Sequence, residues 1–406
     1  MTKKFRIASF LVAVLLVAGL LAACGDNGEI ALIPRPDPPA PLGTPAVVDE
    51  ITIGVLAPLT GGVAQFGVAV RSGIDLFVDQ FNAQGGLQIR LEYWDEEGQA
   101  ALGVAGYHAL VDRGVDAIIG AVTSGVTMAV VPLAFEDNMP MITASSTHLN
   151  VTIDGDTGQV FHNMFRSCFI DPFQGEVMAK FAHSELGAQR VAILYNNEVD
   201  YSIGLMQAFE ATALDLGLEI VAIERFQDTT VDFRSQLTNI AAQNPDALFI
   251  PAYYQDIALI GPQSVAAGLD TVMLGADGWA TILDFMADAS SIEGSYFLTG
   301  FSPDIDDPML QEFMTNFYAA NGHQPNMFAA QAYDAAMILV AAIEASIADG
   351  FAPDHELFRA SVVGHMYATD MTGVTGHITF DQYNNPQKTA VILTIRDARE
   401  TFWGYF

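Results

Sequence analysis

Two series of short β-branched runs, each run separated from the next by a segment of helix length, restrict what this chain can fold into. The first series is ITIGVLAPL (51–59), IRLEYWD (89–95), AIIGAV (117–122) and MITAS (141–145). The second is VAILYN (191–196), EIVAIERF (219–226), ALFIPAY (247–253) and VMLGAD (272–277). Apolar runs of strand length, alternating with helical spacers such as IGLMQAFEATALDLG, are the pattern of a parallel sheet with helices on both faces. Because the pattern occurs twice, the reading is α/β with two lobes of one architecture. At 406 residues, 51% of them hydrophobic, the chain is long enough to fill two cores. No short-period repeat is present.

The N-terminus is organised differently. Lys3, Lys4 and Arg6 precede FLVAVLLVAGLLAAC, an apolar stretch too short and wrongly flanked for a membrane span, so residues 1–23 read as a signal peptide. Residues 24–50 read as a tether, because IPRPDPPAPLGTP (33–45) is too rich in proline to fold and would extend by roughly 3 Å per residue. The second of the two cysteines, Cys168, has no internal partner for a disulfide and reads as a buried small hydrophobe. A formal net charge of −32 excludes a nucleic-acid partner, since phosphate binding needs clustered Lys and Arg.

In open α/β sheets, functional groups come from the carboxyl ends of the strands. Here those ends carry APLTGGVAQFG, AVTSGVT, TASSTH, PAYYQD and GADGWA, rich in Gly, Ser, Thr and aromatics. They contain no G-x-S-x-G elbow, phosphate loop, H-E-x-x-H or paired Cys/His of metal spacing, so no enzyme, cofactor or metal is implied. DGDTG (154–158) lacks the later bidentate Glu of a calcium loop and reads as a turn. Ser124 has no base in a matching strand-end motif, so a helix cap or a ligand hydroxyl is favoured over a nucleophile.

The segment ITIGVLAPLTGGVAQFGVAVRSGIDLFVDQFNAQGGLQIRLEYWDEEGQ resembles the opening of the branched-chain amino-acid-binding proteins of bacterial ABC importers. The likeness continues through IIGAVTSGVTMAVVPLAFEDNMPMITASST, FRSCFIDPFQG and GVTGHITFD. LLAAC (20–24) resembles the lipobox, which implies lipidation at Cys24 and a membrane anchor outside the cytoplasm. The resemblance implies two Rossmann-like lobes with parallel central sheets, joined by three crossovers, with the ligand cleft between them. Lobe 1 would be 51–168 plus 302–386, and lobe 2 would be 169–301 plus 387–406.

An α-amino acid brings a carboxylate and an ammonium together, and burying either without a partner is costly. Transferred from the family, Ser124 and Thr147 receive the carboxylate, Ser145 contributes backbone groups, and Asp277 receives the ammonium. The family pattern has Glu where this chain has Asp277. The acid is one methylene shorter, so the ligand sits closer, a water intervenes or the ligand differs. Tyr201 and Tyr253 match family positions lining one lobe, and Phe66 and Phe328 match positions lining the other. Trp279 joins them by its closeness to Asp277. Phe66 stands where the family often has Tyr, which favours an apolar ligand side chain. Arg166 reads as an ion pair between lobes, with ligand contact as the alternative. The aromatic tail TFWGYF reads as a packed terminus or an exposed partner site.

The functional expectation is therefore a lipid-anchored, monomeric solute receptor that closes by hinge motion and delivers an apolar amino acid to a membrane permease. Alternatives are an amide, urea-like or aromatic-acid ligand on the same scaffold, a sensing receptor, and, from another class, an extracellular hydrolase using Ser124.

Overall fold

Both strand series form sheets, seen in a computed structural model that describes residues 37–406. The signal segment and Cys24 lie outside the described residues.

The first sheet is built from β1 (Glu50–Ala57), β2 (Gln88–Asp95), β3 (Ala117–Ile119), β4 (Met141–Thr143) and β5 (Met164–Arg166). Their order is β2-β1-β3-β4-β5 and every pairing is parallel. The alternating helices are α1 (Ala64–Asn82), α2 (Ala100–Asp112) and α3 (Ser124–Glu136). β1 is buried from Ile51 to Ala57, as a central parallel strand covered on both faces must be.

The chain then crosses to the second sheet. The elements there are α4 (Asp171–Ser184), β6 (Arg190–Asn196), α5 (Asp200–Asp215), β7 (Glu219–Phe226), α6 (Arg234–Ala241), β8 (Ala247–Phe249), α7 (Tyr254–Ala266), β9 (Val272–Gly275), α8 (Ile282–Phe285) and β10 (Tyr296–Thr299). A return passage leads to α9 (Pro308–Asn321), α10 (Met327–Ala348), α11 (Phe358–Tyr367) and the hairpin β11 (Asp370–Gly373) and β12 (Gly376–Thr379). A third passage ends in β13 (Val391–Arg396) and β14 (Arg399–Tyr405).

The second sheet has the order β14-β13-β10-β9-β8-β6-β7. Its strands β10, β9, β8, β6 and β7 form the expected parallel sheet, and β13 and β14 add an antiparallel edge to it, β13 pairing with β10 and β14 with β13. The last two strands arrive as a hairpin, and a two-residue connection permits no other direction. The aromatic tail is therefore β14, with Trp403 and Phe406 packed on Phe181 of α4 at centroid distances of 4.9 and 6.0 Å.

Helix ends follow their local chemistry. Asp307 caps α9 by accepting from Leu310 N–H at 2.9 Å, with Pro308 at the first helical position. Asn326 caps α10 by accepting from Ala329 N–H at 3.1 Å. Helix α10 is the one described helix long and apolar enough to cross a membrane, yet it is largely buried against α1. Phe77 and Tyr333 meet edge to face at 5.3 Å, and Tyr333 OH donates to Gln80 at 2.8 Å, tying the two helices together.

The described part of the proline-rich stretch is not a free spacer. Leu42 N–H donates to Asp349 O at 2.7 Å and Ala46 N–H to Ile347 O at 2.9 Å, laying the segment along the end of α10. Pro38 meets α11 at Gly364, where a Cβ would lie 2.5 Å from the Pro38 Cβ. Glycine inside a helix costs about 1 kcal/mol relative to alanine, and here it is what admits the strap. The expected extension from 24 to 50 is thus shortened by the residues that dock.

Candidate functional site

The carboxyl ends of the two sheets converge on a small cavity. Its lining comes from Phe66, Val122, Thr123, Ser124, Ser145 and Phe328 on the first lobe, and from Tyr201, Tyr253, Asp277 and Gly278 on the second. Seven of the nine residues expected from the sequence are brought together there; Thr147 and Trp279 are not.

On the first lobe, Ser124 opens α3, so its hydroxyl sits where the unpaired N–H groups and positive end of the helix favour an anion. Its Oγ accepts from the His148 backbone N–H at 3.3 Å; no imidazole takes part in that bond. Ser145 Oγ donates to Val122 O at 2.8 Å, tying the loop after β4 to the loop after β3. Phe66 from α1 and Phe328 from α10 lie 4.5 Å apart by centroid, so the α1–α10 contact itself sets the apolar wall. Phe66 also meets Tyr253 edge-on at 5.4 Å across the cleft.

On the second lobe, Asp277 stands in a short turn directly after β9 and is 2% exposed. Tyr201 OH donates to Asp277 Oδ1 at 2.7 Å and accepts from Gly278 N–H at 2.7 Å. Gly278 has to lack a side chain, because a Cβ would sit 2.7 Å from the Tyr201 hydroxyl and 2.9 Å from Ala252 O. Tyr201 stacks on Tyr253 with centroids 4.9 Å apart and planes 19° from parallel. Burial pushes the Asp277 carboxyl up to about 6, opposed by hydrogen bonding from Tyr201 and Gln174. Burial likewise pushes both tyrosine hydroxyls well above their ordinary range, with the Asp277 charge adding to the effect.

Trp279 is a correction to the expectation. Two residues after Asp277 the tight turn carries its indole into the core, fully buried, where Nε1 donates to Ile250 O at 2.9 Å and the ring stacks on Phe297. Thr147 lies one layer behind the cavity, its carbonyl accepting from Asp171 N–H at 2.9 Å. Arg166 is fully buried and departs from the expected interlobe pair. Its Nη1 donates to the carbonyls of Ser146 and His148, at 2.9 and 3.0 Å, and Nη2 to Thr152 Oγ1 at 3.0 Å. It is a clamp on the loop after β4. Cys168 is buried, and burial pushes its thiol up to about 12. The DGDTG segment is a turn in which Asp154 Oδ1 accepts from the N–H groups of Asp156 and Thr157.

Sequence reading missed two groups behind the cavity, Asp171 and Gln174, both fully buried on the first turn of α4. A polar pair at i and i+3 just after FRSCFI is all the sequence offers, and nothing in it tells a buried pair from an exposed one. A wider recess of about 430 Å³ opens beside the cavity and shares Thr123 and Tyr253 with it. Its lining carries Glu97, Glu198, Asp200 and Asp228 and no base, so the approach to the cavity is electronegative.

Two α/β lobes, crossed three times by the chain and enclosing a cavity with hydroxyls on one side and an acid on the other, define a hinged solute-binding architecture. The family model for periplasmic binding proteins matches residues 50–399, and the chain belongs to that family. Among its relatives is a Leu/Ile/Val-binding protein, BraC3, of Rhizobium johnstonii, 30% identical over 73% of this chain and 79% of the relative. The solved structure of a leucine-binding protein, LivK, from Thermotoga maritima is similar at a TM-score of 0.79, with 30% identity over 88% of this chain and 98% of that one. The branched-chain amino-acid transporter substrate-binding protein LivJ from Streptococcus pneumoniae, in complex with isoleucine, is similar at a TM-score of 0.78, with 28% identity over 88% and 99%.

Proposed function

We propose that this chain is the extracytoplasmic solute-binding component of an ABC importer, that it takes a branched-chain or other apolar amino acid between its lobes, and that a lipid on Cys24 holds it at the membrane. The observation that carries this reading is the cavity's polarity. Asp277 is a buried carboxyl on one wall, Ser124 and the start of α3 form the other, and Phe66, Phe328, Tyr201 and Tyr253 lie between. That arrangement suits a zwitterion with an apolar side chain, with the ammonium on Asp277 and the carboxylate on Ser124 and the loop of Ser145. The relatives named above, binding leucine, isoleucine and valine by their descriptions, support the same class of ligand. The electronegative recess disfavours ligands of net negative charge.

In this reading ligand meets the lobe of 51–168 plus 302–386 first, and the remaining lobe closes over it because Asp277 and the tyrosines make their contacts in the closed state. The closed monomer then delivers ligand to a permease.

A thermal-shift panel of apolar amino acids, amides, aromatic acids and anionic amino acids tests the proposal. A specific ligand raises the melting temperature with its concentration over Kd. Stabilisation by leucine, isoleucine or valine that is absent for benzoate and glutamate is the expected result. Stabilisation by amides or aromatic acids alone would replace the ligand class. Turnover of ester or amide substrates that disappears in Ser124→Ala would overturn the binding reading altogether.

A further inference from the structure

The first turn of α4 touches both halves of the site. Asp171 N–H holds the carbonyl of Thr147 at 2.9 Å, and three residues on, Gln174 Oε1 accepts from Asp277 N–H at 3.0 Å. A spacing of three residues places both on one helix face. Four residues link β5 to α4, so this turn stands at the first crossover between the lobes.

The orientation of the Gln174 amide is dictated by its partner. Asp277 N–H is a donor, so Gln174 must present Oε1 to it, and Nε2 is forced to the other side. That Nε2 is buried, in a residue with no exposed surface, and closes no hydrogen bond of good geometry. A buried amide donor left this way is costly unless another group completes it. It lies close enough to the Asp277 carboxyl to favour the ionised form.

We propose that Gln174 is the positioning residue that holds Asp277 oriented and ionised for ligand capture, its carbonyl fixing the backbone of Asp277 and its amide N–H supporting the carboxylate. The inference rests on the reading that Asp277 takes the ligand's ammonium. It supplies a reason why a shorter acid works at this position: Tyr201 holds the carboxylate and Gln174 holds the backbone of the same residue, so the acid is placed by its neighbours rather than by its own reach.

The ionisable groups around Asp277 are Tyr201 of α5, Tyr253 ahead of α7, Asp171 of α4 and Cys168 of the crossover, with Arg166 acting on the last two. Gln174→Met alters none of them and adds no charge, so a change in the titration of Asp277 in that variant reports on the amide, whereas the acid of Gln174→Glu adds its own repulsion. Gln174→Met keeps the length and removes both polar atoms. Gln174→Glu keeps an acceptor for Asp277 N–H and replaces the amide donor with a second acid.

The experiment has two arms. Leucine affinity is measured by calorimetry from pH 5 to 9 in wild type and both variants, and the Asp277 carboxyl is followed by carbon NMR in the ligand-free proteins. Wild type loses affinity as pH falls through about 6, the point to which burial raises Asp277. In both variants the midpoint moves upward by about one pH unit, so that affinity near pH 6 is about fivefold below wild type while the curves converge at pH 9. A midpoint unmoved in Gln174→Met, or a loss of affinity uniform across pH, would overturn the role. If Gln174→Met does not fold, Gln174→Leu, which also lacks both polar atoms and adds no charge, takes its place. If wild type binds no amino acid, the ligand reading fails, whereas the NMR titration still decides whether Gln174 sets the charge on Asp277.

Discussion

Replacing Asp277 by Asn should make the ligand-free protein more stable at neutral pH while abolishing its response to amino acids. The carboxyl is 2% exposed, and burial raises it from an ordinary value of 3.8 to about 6. Raising an acid's pKa in the folded state means that folding disfavours its charge. The resulting penalty is absent below the unfolded value near 4, grows between about 4 and 6, and is fully present above 6. At about 1.36 kcal/mol per pH unit, the displacement amounts to about 3 kcal/mol. Asn is nearly isosteric and keeps an oxygen to accept from Tyr201, so the variant is relieved of that penalty without opening a cavity.

Ligand binding moves the other way. An ammonium and a carboxylate about 4 Å apart attract by about 4 kcal/mol at an effective dielectric near 20, on the order of a thousandfold in affinity. Urea unfolding from pH 4 to 8, with and without leucine, measures both effects. The expected result is a ligand-free Asn variant more stable than wild type by about 3 kcal/mol at pH 7.5, the difference closing towards pH 4, and a leucine-induced stabilisation confined to wild type. A stability difference independent of pH would refute the account of Asp277 as a strained buried charge. Unchanged leucine stabilisation in the variant would refute its role as ammonium partner.

Three other substitutions or reagents probe separate features. Gly278→Ala places a methyl 2.7 Å from the Tyr201 hydroxyl, so calorimetry should show leucine affinity falling at least tenfold with the fold intact by circular dichroism; unchanged affinity would mean that Tyr201 is not needed where it stands. Gly364→Leu should lift the strap of residues 38–46, seen as faster hydrogen exchange at the amides of Leu42 and Ala46, and unaltered exchange would show that Pro38 is not what holds it. Cys168 should resist thiol reagents in native protein at pH 8 and react after unfolding, because it is buried and burial raises its thiol to about 12; rapid native labelling would contradict that environment.

Legibility in the sequence tracked the range of the forces involved. The runs at 51–59, 89–95, 191–196 and 219–226 could be read as strands because β-branched side chains declare a sheet surface locally, and they are β1, β2, β6 and β7. β5 escaped notice because it is three residues long and ends in Arg166, whose charge is met by the carbonyls of Ser146 and His148 and by the hydroxyl of Thr152, all of which fold around it. The antiparallel edge of the second sheet was not legible either. β13 finds β10 from almost a hundred residues away, and nothing local in either strand specifies its partner.

At the site, strand-end position picked out the loops that carry Ser124, Ser145 and Asp277, since a parallel sheet presents its carboxyl ends to one side wherever its loops wander, and the family resemblance singled out these residues within them. Nearness in sequence misled for Trp279, because a turn of three residues is enough to send a side chain to the opposite face. Gln174 could not have been chosen from its neighbours: its partner is 103 residues distant, and only the packing of α4 against the end of β9 brings the two together. The sequence by itself determined two α/β lobes, their strand-end chemistry and the acidic character of the whole, because periodicity, composition and loop position are local properties. Which of those strand-end groups face one another, which turn inward, and which buried amide holds Asp277 in place were decided by tertiary packing, because desolvation and hydrogen-bond geometry exist only once both lobes have closed around the same point.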